Sequence, residues 1–103
     1  MKQLHAKKKI EIIIEQIMAD KVIETLEKAG AKGYSIVRKV SGKGNRGVRR
    51  GGPLPDVFGN VMIVAIVSEP VAEELLRVAD EMLKDTAGIV YVSDVQILRA
   101  DHF

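Results

Sequence analysis

Apolar positions recur along the chain with two different spacings, and these spacings divide it into six elements. Runs rich in β-branched residues with partial alternation predict four strands, at 9–16, 33–40, 60–67 and 89–98. Apolar residues three and four positions apart predict two amphipathic helices, at 17–30 and from 69 to about 85. The predicted order of elements is therefore βαββαβ.

Residues at the ends of the predicted helices agree with this division. Asp20 lies near the start of the first helix, and Gly30 follows its last apolar position, where a left-handed cap is favoured. Ser68 precedes the second helix as a candidate N-cap, and Gly88 separates that helix from the last strand.

This order predicts an α+β fold of the ferredoxin-like type, in which both helices cover one face of a four-stranded antiparallel sheet. The other face is expected to be polar, yet residues 61–67 include no polar side chain and residues 12–14 are all isoleucine. A second apolar face needs a cover. Residues 1–103 are predicted to form one domain with no chain left over, so we expect a homo-oligomer.

Residues 41–59 show no periodicity and separate the second and third strands. They contain six glycines, two prolines and four cations against the single Asp56. Gly42, Gly44 and Gly47 match G-x-G-x-x-G, but a dinucleotide-binding fingerprint follows the first strand and opens a helix. A Walker A loop is also excluded, because Val48 follows Gly47 where that motif has lysine.

The chemistry of this loop nevertheless suits an anion. Glycines let backbone N–H groups approach phosphate closely, and the planar guanidinium groups of Arg46 and Arg49 match its oxygens. The loop therefore predicts a phosphate site. The alternative is a solvated loop whose charge serves solubility.

Composition and charge exclude several classes of function. The chain has no Cys and a formal net charge of +2, and its apolar runs are too short for a membrane span, which favours a cytoplasmic protein. The predicted first and third strands lack the aromatic residues on which RNA-binding domains of this topology stack bases. No nucleophile, general base or metal cluster is assembled, and His5 and His102 lie near opposite ends, so neither enzyme nor metal site is predicted.

Three segments together carry a resemblance that extends over nearly the whole chain. They are "EKAGAKGYSIVRKVSGKGNRGVR", the 19-residue loop into "NVMIVAIV", and "DTAGIVYVSDVQIL". They resemble the PII signal-transduction superfamily, and are most similar to its PII-like branch associated with bicarbonate transporters and carboxysomes. In that branch the loop begins G-K-G-x-R-x-V-R, and a short A-G-I turn precedes the last strand.

The resemblance implies a homotrimer with adenine nucleotides in the three clefts between subunits. Residues 41–59 would be the T-loop, which changes conformation with the ligand and contacts a target. The resemblance assigns phosphate contacts to Gly42, Lys43, Gly44, Asn45, Arg46 and Arg49. It assigns the adenosine part to Ser35 and to the backbone of Gly88, Ile89 and Val90, with Arg99 reaching across from a neighbouring subunit.

Several positions depart from the nitrogen-regulatory PII pattern. Ile89 and Val90 stand where those proteins carry a phosphate-binding lysine, and Arg46 stands where they carry a glutamine for Mg-ATP and 2-oxoglutarate. Residues 41–59 contain no tyrosine to modify, and the C-terminal residues contain no Cys. These departures argue against 2-oxoglutarate sensing, uridylylation and redox gating.

The resulting hypothesis is a PII-like sensor that is not an enzyme. It would bind ADP or AMP, with cyclic AMP and ATP as further candidates, together with bicarbonate. Its target would be a protein of inorganic-carbon metabolism such as a bicarbonate transporter or carboxysome component, and it would meet a membrane only through that partner. The alternatives are a nucleic-acid-binding module that uses the basic loop, and a nitrogen-regulatory PII protein that binds ATP.

Overall fold

Residues 3–44, 47–49 and 59–99 are described in the computed structural model of the chain. The strands are β1 (His5–Glu15), β2 (Ser35–Arg38), β3 (Gly42–Gly44), β4 (Gly47–Arg49), β5 (Asn60–Val67) and β6 (Ile89–Ile97). The helices are α1 (Ala19–Ala29), preceded by one 3₁₀ turn at Gln16–Met18, and α2 (Glu69–Met82). Apart from the short β3–β4 pair, the order is the predicted βαββαβ.

The main sheet has the strand order β2-β5-β1-β6, with every pair antiparallel. β1 is central and pairs along its length with both neighbours, so that Ile12 lies opposite Ile63 on one side and Val90 on the other. β2 and β6 are the two outer strands. The predicted ferredoxin-like class is confirmed.

Alternate residues of each strand point to the same face of the sheet, and both helices pack on one such face. Isoleucines of β1 and aliphatic residues of β5 meet Val22 and Leu26 of α1 and Leu75 of α2 in one core. The fully buried side chains with the largest volumes are Ile10, Ile14, Leu26, Ile63, Val22, Val61 and Val67.

Two left-handed residues direct the chain at element ends. Gly30 ends α1 with φ 107°, and its N–H donates to the carbonyl oxygens of Glu27 and Leu26, as predicted from its position. Lys39 follows β2 with φ 60°, a conformation that costs a non-glycine residue free energy. The next N–H, that of Val40, donates to the Asn60 carbonyl oxygen at 3.1 Å.

The first strand begins at His5, four residues earlier than predicted. The three lysines at 7–9 lowered the apolar signal, but pairing with two neighbours depends on backbone groups and tolerates long side chains that reach solvent. Lys8 illustrates this, since it lies opposite Val67 and also pairs with the Asp94 carboxylate.

Part of the predicted loop at 41–59 is a small hairpin. β3 and β4 pair antiparallel, with Gly42 opposite Arg49 and Gly44 opposite Gly47. Three-residue strands rich in glycine carry no hydrophobic alternation, so no pattern in the sequence indicates them. Residues 45–46 and 50–58 lie outside the described residues.

Other boundaries also differ from the predictions. α2 ends at Met82, and residues 83–85 form a turn, so the helix is about three residues shorter than predicted. Ser68 has the extended backbone of an N-cap, but its hydroxyl makes no capping hydrogen bond. β2 extends only from Ser35 to Arg38, and over these four positions it pairs with β5.

The backbone at Gly30 allows a direct test. We expect Gly30→Ala to destabilise the protein by about 1–2 kcal/mol, because an L side chain is strained at positive φ. Its Cβ would also lie 3.4 Å from Val71 Cγ2. Gly33→Ala is the matched control, since its Cβ would have nothing within 4 Å. Urea unfolding at one protein concentration measures both, and equal midpoints for the two variants would contradict the strain at Gly30.

Candidate functional site

One part of the predicted nucleotide site lies along the β2 edge of the sheet. Ser35 is the first residue of β2, is exposed and lies opposite Val64. The β3–β4 hairpin follows β2 in the chain and holds Gly42, Gly44 and Arg49. Asn45 and Arg46 lie outside the described residues, and the hairpin gives the backbone position of Lys43.

A second part lies at the opposite edge, where β6 begins. Gly88 packs directly on β1, since a Cβ there would lie 3.2 Å from the Ile13 carbonyl oxygen and 3.2 Å from Ile14 Cγ1. Ile89 is 50% exposed, whereas Val90 is half-buried against the core. Close packing between the turn and the central strand therefore favours glycine at 88.

The two parts are far apart within one chain. β5 and β1 separate β2 from β6, and three strand spacings amount to about 14 Å. Arg99 is more distant still, because it follows β6 at the end opposite Gly88, and the nine residues of β6 span about 30 Å. A single chain does not bring Ser35, Gly88 and Arg99 together.

The face of the sheet opposite the helices carries many apolar residues, as the sequence predicted, and the register also places Lys9, Glu11 and Ser93 on it. We call it the helix-free face. Its apolar residues include Ile13, Val37, Met62, Val64, Ile66, Ile89 and Tyr91, which the strand register places side by side. Val37 and Tyr91 remain 46% and 42% exposed in the single chain. This surface suits contact with another protein surface.

A small polar cluster lies within the helix-free face. The Tyr91 hydroxyl donates to Glu11 Oε2 at 3.3 Å, and Lys9 Nζ lies 3.4 Å from Glu11 Oε1. Burial raises the pKa of the Tyr91 hydroxyl, and the charge and hydrogen bonding of Glu11 raise it further. Sequence reasoning missed this cluster because Tyr91 and Glu11 are 80 positions apart and meet only through the β1–β6 register.

A cleft of about 510 Å³ opens near the start of α2, on the helix side of the sheet. Lys8 and Asp94 pair within it, and Glu69 lies at its rim. The hydrogen bond from Lys8 to Asp94 raises the pKa of the lysine. Among the residues that the structure describes, none of the predicted nucleotide ligands lines this cleft.

A family model described as "Nitrogen regulatory protein P-II" matches residues 7–102. The chain belongs to the PII family. Proteins of this family are trimeric signalling proteins, and the resemblance drawn from the sequence is thereby confirmed. Within the described residues, no helix is both long and apolar enough to cross a bilayer.

Solved structures place this PII protein close to one branch of the family. It is 34% identical to CPII, a nitrogen regulatory PII-like protein from Thiomonas intermedia, in a structure bound to ADP, AMP and bicarbonate. That match has a TM-score of 0.95 and covers 100% of this chain and 98% of the other. A PII-like signalling protein from Thermus thermophilus is 31% identical over 98% of both chains, with a TM-score of 0.79.

A more distant match supports the fold alone. The Bacillus subtilis GlnK–ATP complex has a TM-score of 0.63 at 20% identity, covering 87% of this chain and 82% of the other. This chain therefore shares its fold with that more distant protein.

The polar cluster gives a test of the helix-free face. We expect Glu11→Gln to lower the pKa of Tyr91, because the substitution removes the negative charge that disfavours the phenolate. Ultraviolet absorbance of the phenolate during an alkaline titration measures it, after the Tyr91→Phe spectrum is subtracted. An unchanged titration midpoint would show that Glu11 does not act on Tyr91.

The same pKa shift fixes the sign of a stability effect. A raised pKa keeps the Tyr91 phenol neutral in the folded protein, whereas the unfolded chain loses that proton near the ordinary pKa of about 10. The contribution of Tyr91 to stability is therefore present below about pH 10 and is lost as pH rises above it. Above about pH 10, the free energy of unfolding of Tyr91→Phe should therefore fall less steeply with pH than that of the wild type.

Proposed function

We propose that this PII protein is a trimeric, non-catalytic sensor that binds ADP or AMP, together with bicarbonate, in the clefts between its subunits. The observation that carries the proposal is the match to CPII over the whole chain, because that relative is bound to ADP, AMP and bicarbonate. Binding of the nucleotide is signalled to a protein target through residues 41–59.

The distribution of the predicted ligands supports a site shared between copies. Ser35 lies at the β2 edge and Gly88 at the β6 edge, so neither edge holds a complete site. When the β2 edge of one copy lies beside the β6 edge of another, both parts face one cleft. A ring of three copies repeats this contact three times and closes on itself.

The helix-free face supports the same assembly. Val37, near the β2 edge, and Ile89, near the β6 edge, keep about half of their surface exposed in the single chain. Covering such a surface gains about 25 cal/mol for each Å² of apolar area removed from water. Assembly and formation of the nucleotide site are therefore one event in this proposal.

Charge and backbone in the loop would hold the phosphates. Arg46 and Arg49 supply planar guanidinium groups, and the glycines at 42 and 44 let backbone N–H groups approach. Ile89 and Val90 add no cation at the start of β6. A diphosphate or monophosphate is therefore favoured over a triphosphate, which needs more positive charge.

The signal would be ordering of the loop upon binding. Contact between phosphate and the two arginines restricts residues 41–59 and changes the surface offered to a target. The target in this proposal is a protein of inorganic-carbon metabolism such as a bicarbonate transporter or carboxysome component. The mechanism needs no covalent chemistry, since nucleotide binding alone changes the loop.

Calorimetric titration tests nucleotide binding. We expect ADP or AMP to bind the wild-type protein, and Arg46→Ala or Arg49→Ala to weaken binding about ten- to a hundredfold, because each removes a charged hydrogen-bond donor. Arg77→Ala is the matched control, since Arg77 is exposed on α2 and pairs with Glu74. Titrations with and without bicarbonate test its contribution.

Two outcomes would contradict this function. Failure of ADP, AMP, cyclic AMP and ATP to bind the wild-type protein would exclude a nucleotide sensor. Salt-sensitive retention of single-stranded RNA, in place of nucleotide binding, would favour the basic loop as a nucleic-acid site.

A charge on the helix-free face tests the assembly. We expect Val37→Glu to dissociate the trimer, because the carboxylate would be buried without a partner. Leu76→Glu is the control, since Leu76 is 36% exposed on α2 and lies away from that face. Light scattering should give three times the chain mass for the wild type and for Leu76→Glu. A trimeric Val37→Glu would place the subunit contact elsewhere.

A further inference from the structure

One side chain joins the two ends of the turn between α2 and β6. The Thr86 hydroxyl donates to the Leu83 carbonyl oxygen at 3.4 Å and accepts the Gly88 N–H at 3.1 Å. The Thr86 N–H donates to the same carbonyl at 3.2 Å. A hydroxyl has one donor and two acceptor positions, so both of its bonds form together.

Gly88 is held from its other side by packing. A Cβ at this position would lie 3.2 Å from each of three atoms, the Ile13 carbonyl oxygen, Ile14 Cγ1 and Leu83 Cδ2, so the turn packs tightly here. The turn is thus fixed against β1 by contact and against the end of α2 by the hydroxyl. Without that hydroxyl, the half-buried Gly88 N–H would lose the partner it has in the folded chain.

We propose that Thr86 is a positioning residue of the nucleotide site, an inference that rests on the proposed function. Its hydroxyl fixes the conformation of the turn that leads into Ile89 and Val90. It also accepts the Gly88 N–H, so that N–H is not available to the nucleotide. Nucleotide contacts at this edge then fall on backbone groups of β6 beyond Gly88. Alternate residues of an outer strand direct their N–H and C=O groups away from the neighbouring strand, which makes such groups available.

This role differs from a direct contact with the ligand. Thr86 is half-buried, and both bonds of its hydroxyl are made to the chain itself. Its effect on affinity comes from preorganisation, because a turn that is already ordered loses less freedom when the nucleotide binds. Removing the hydroxyl should weaken binding by about two- to tenfold, the range of one net hydrogen bond.

The test compares a substitution that removes the hydroxyl with one that keeps it. Thr86→Val keeps the shape of the side chain and removes the hydrogen bonds, whereas Thr86→Ser keeps the hydroxyl. Thr25→Val is the matched control, because Thr25 is also half-buried and its hydroxyl donates to the Lys21 carbonyl oxygen at 2.9 Å, within α1. Calorimetry with ADP and hydrogen exchange of the Gly88 amide, the latter without nucleotide, are measured on all three variants and the wild type.

We expect weaker ADP binding and faster Gly88 exchange in Thr86→Val only, with Thr86→Ser restoring both. Wild-type ADP affinity in Thr86→Val would overturn the positioning role, as would an equal loss in Thr25→Val. Gly88 exchange as slow in Thr86→Val as in the wild type would show that the hydroxyl does not hold the amide, and would also overturn it.

These outcomes separate the two proposals. If the wild-type protein binds neither ADP nor AMP, the proposed function fails, and the nucleotide-site role of Thr86 fails with it. If the wild type binds and Thr86→Val binds equally well, the sensor function stands and only the inference about Thr86 is overturned.

Discussion

The structure depends on β1 pairing with a strand on each side. Because β5 and β6 both bond to β1, the sheet order places β2 and β6 on its two outer edges. Isoleucines that alternate along β1 supply the core beneath the helices, while Ile13 and its neighbours make the opposite face apolar as well. One strand thus determines the core, the apolar residues of the helix-free face and the separation of the predicted ligands.

In the proposed function, this separation means that a small chain needs copies of itself to bring the predicted ligands together. Within one chain, Ser35 and Gly88 lie on different edges with two strands between them. PII proteins are trimers. In the proposed function, a cleft shared between subunits couples each nucleotide to two chains, so the ligand stabilises the assembly and the loop together.

Several features could be predicted from the sequence because they rest on local physical chemistry. Continuous apolar residues gave β5 its observed bounds, and a glycine after the last apolar position of α1 has the left-handed backbone expected of it. The apolar second face was also predictable from 12–14 and 61–67. The hairpin at 42–49 was not, since its strands are short and rich in glycine. The Tyr91–Glu11 bond was not either, because it depends on the register between distant strands.

The order of elements, the family and the residue types of the basic loop follow from the amino-acid sequence, because hydrophobic spacing and residue type are local properties. Which residues meet depends on the tertiary structure. Strand register brings Glu11 to Tyr91, close packing on β1 favours glycine at 88, and the turn after α2 gives the Thr86 hydroxyl its two partners. These contacts form only when the elements pack in the folded chain, and no local sequence pattern predicts them.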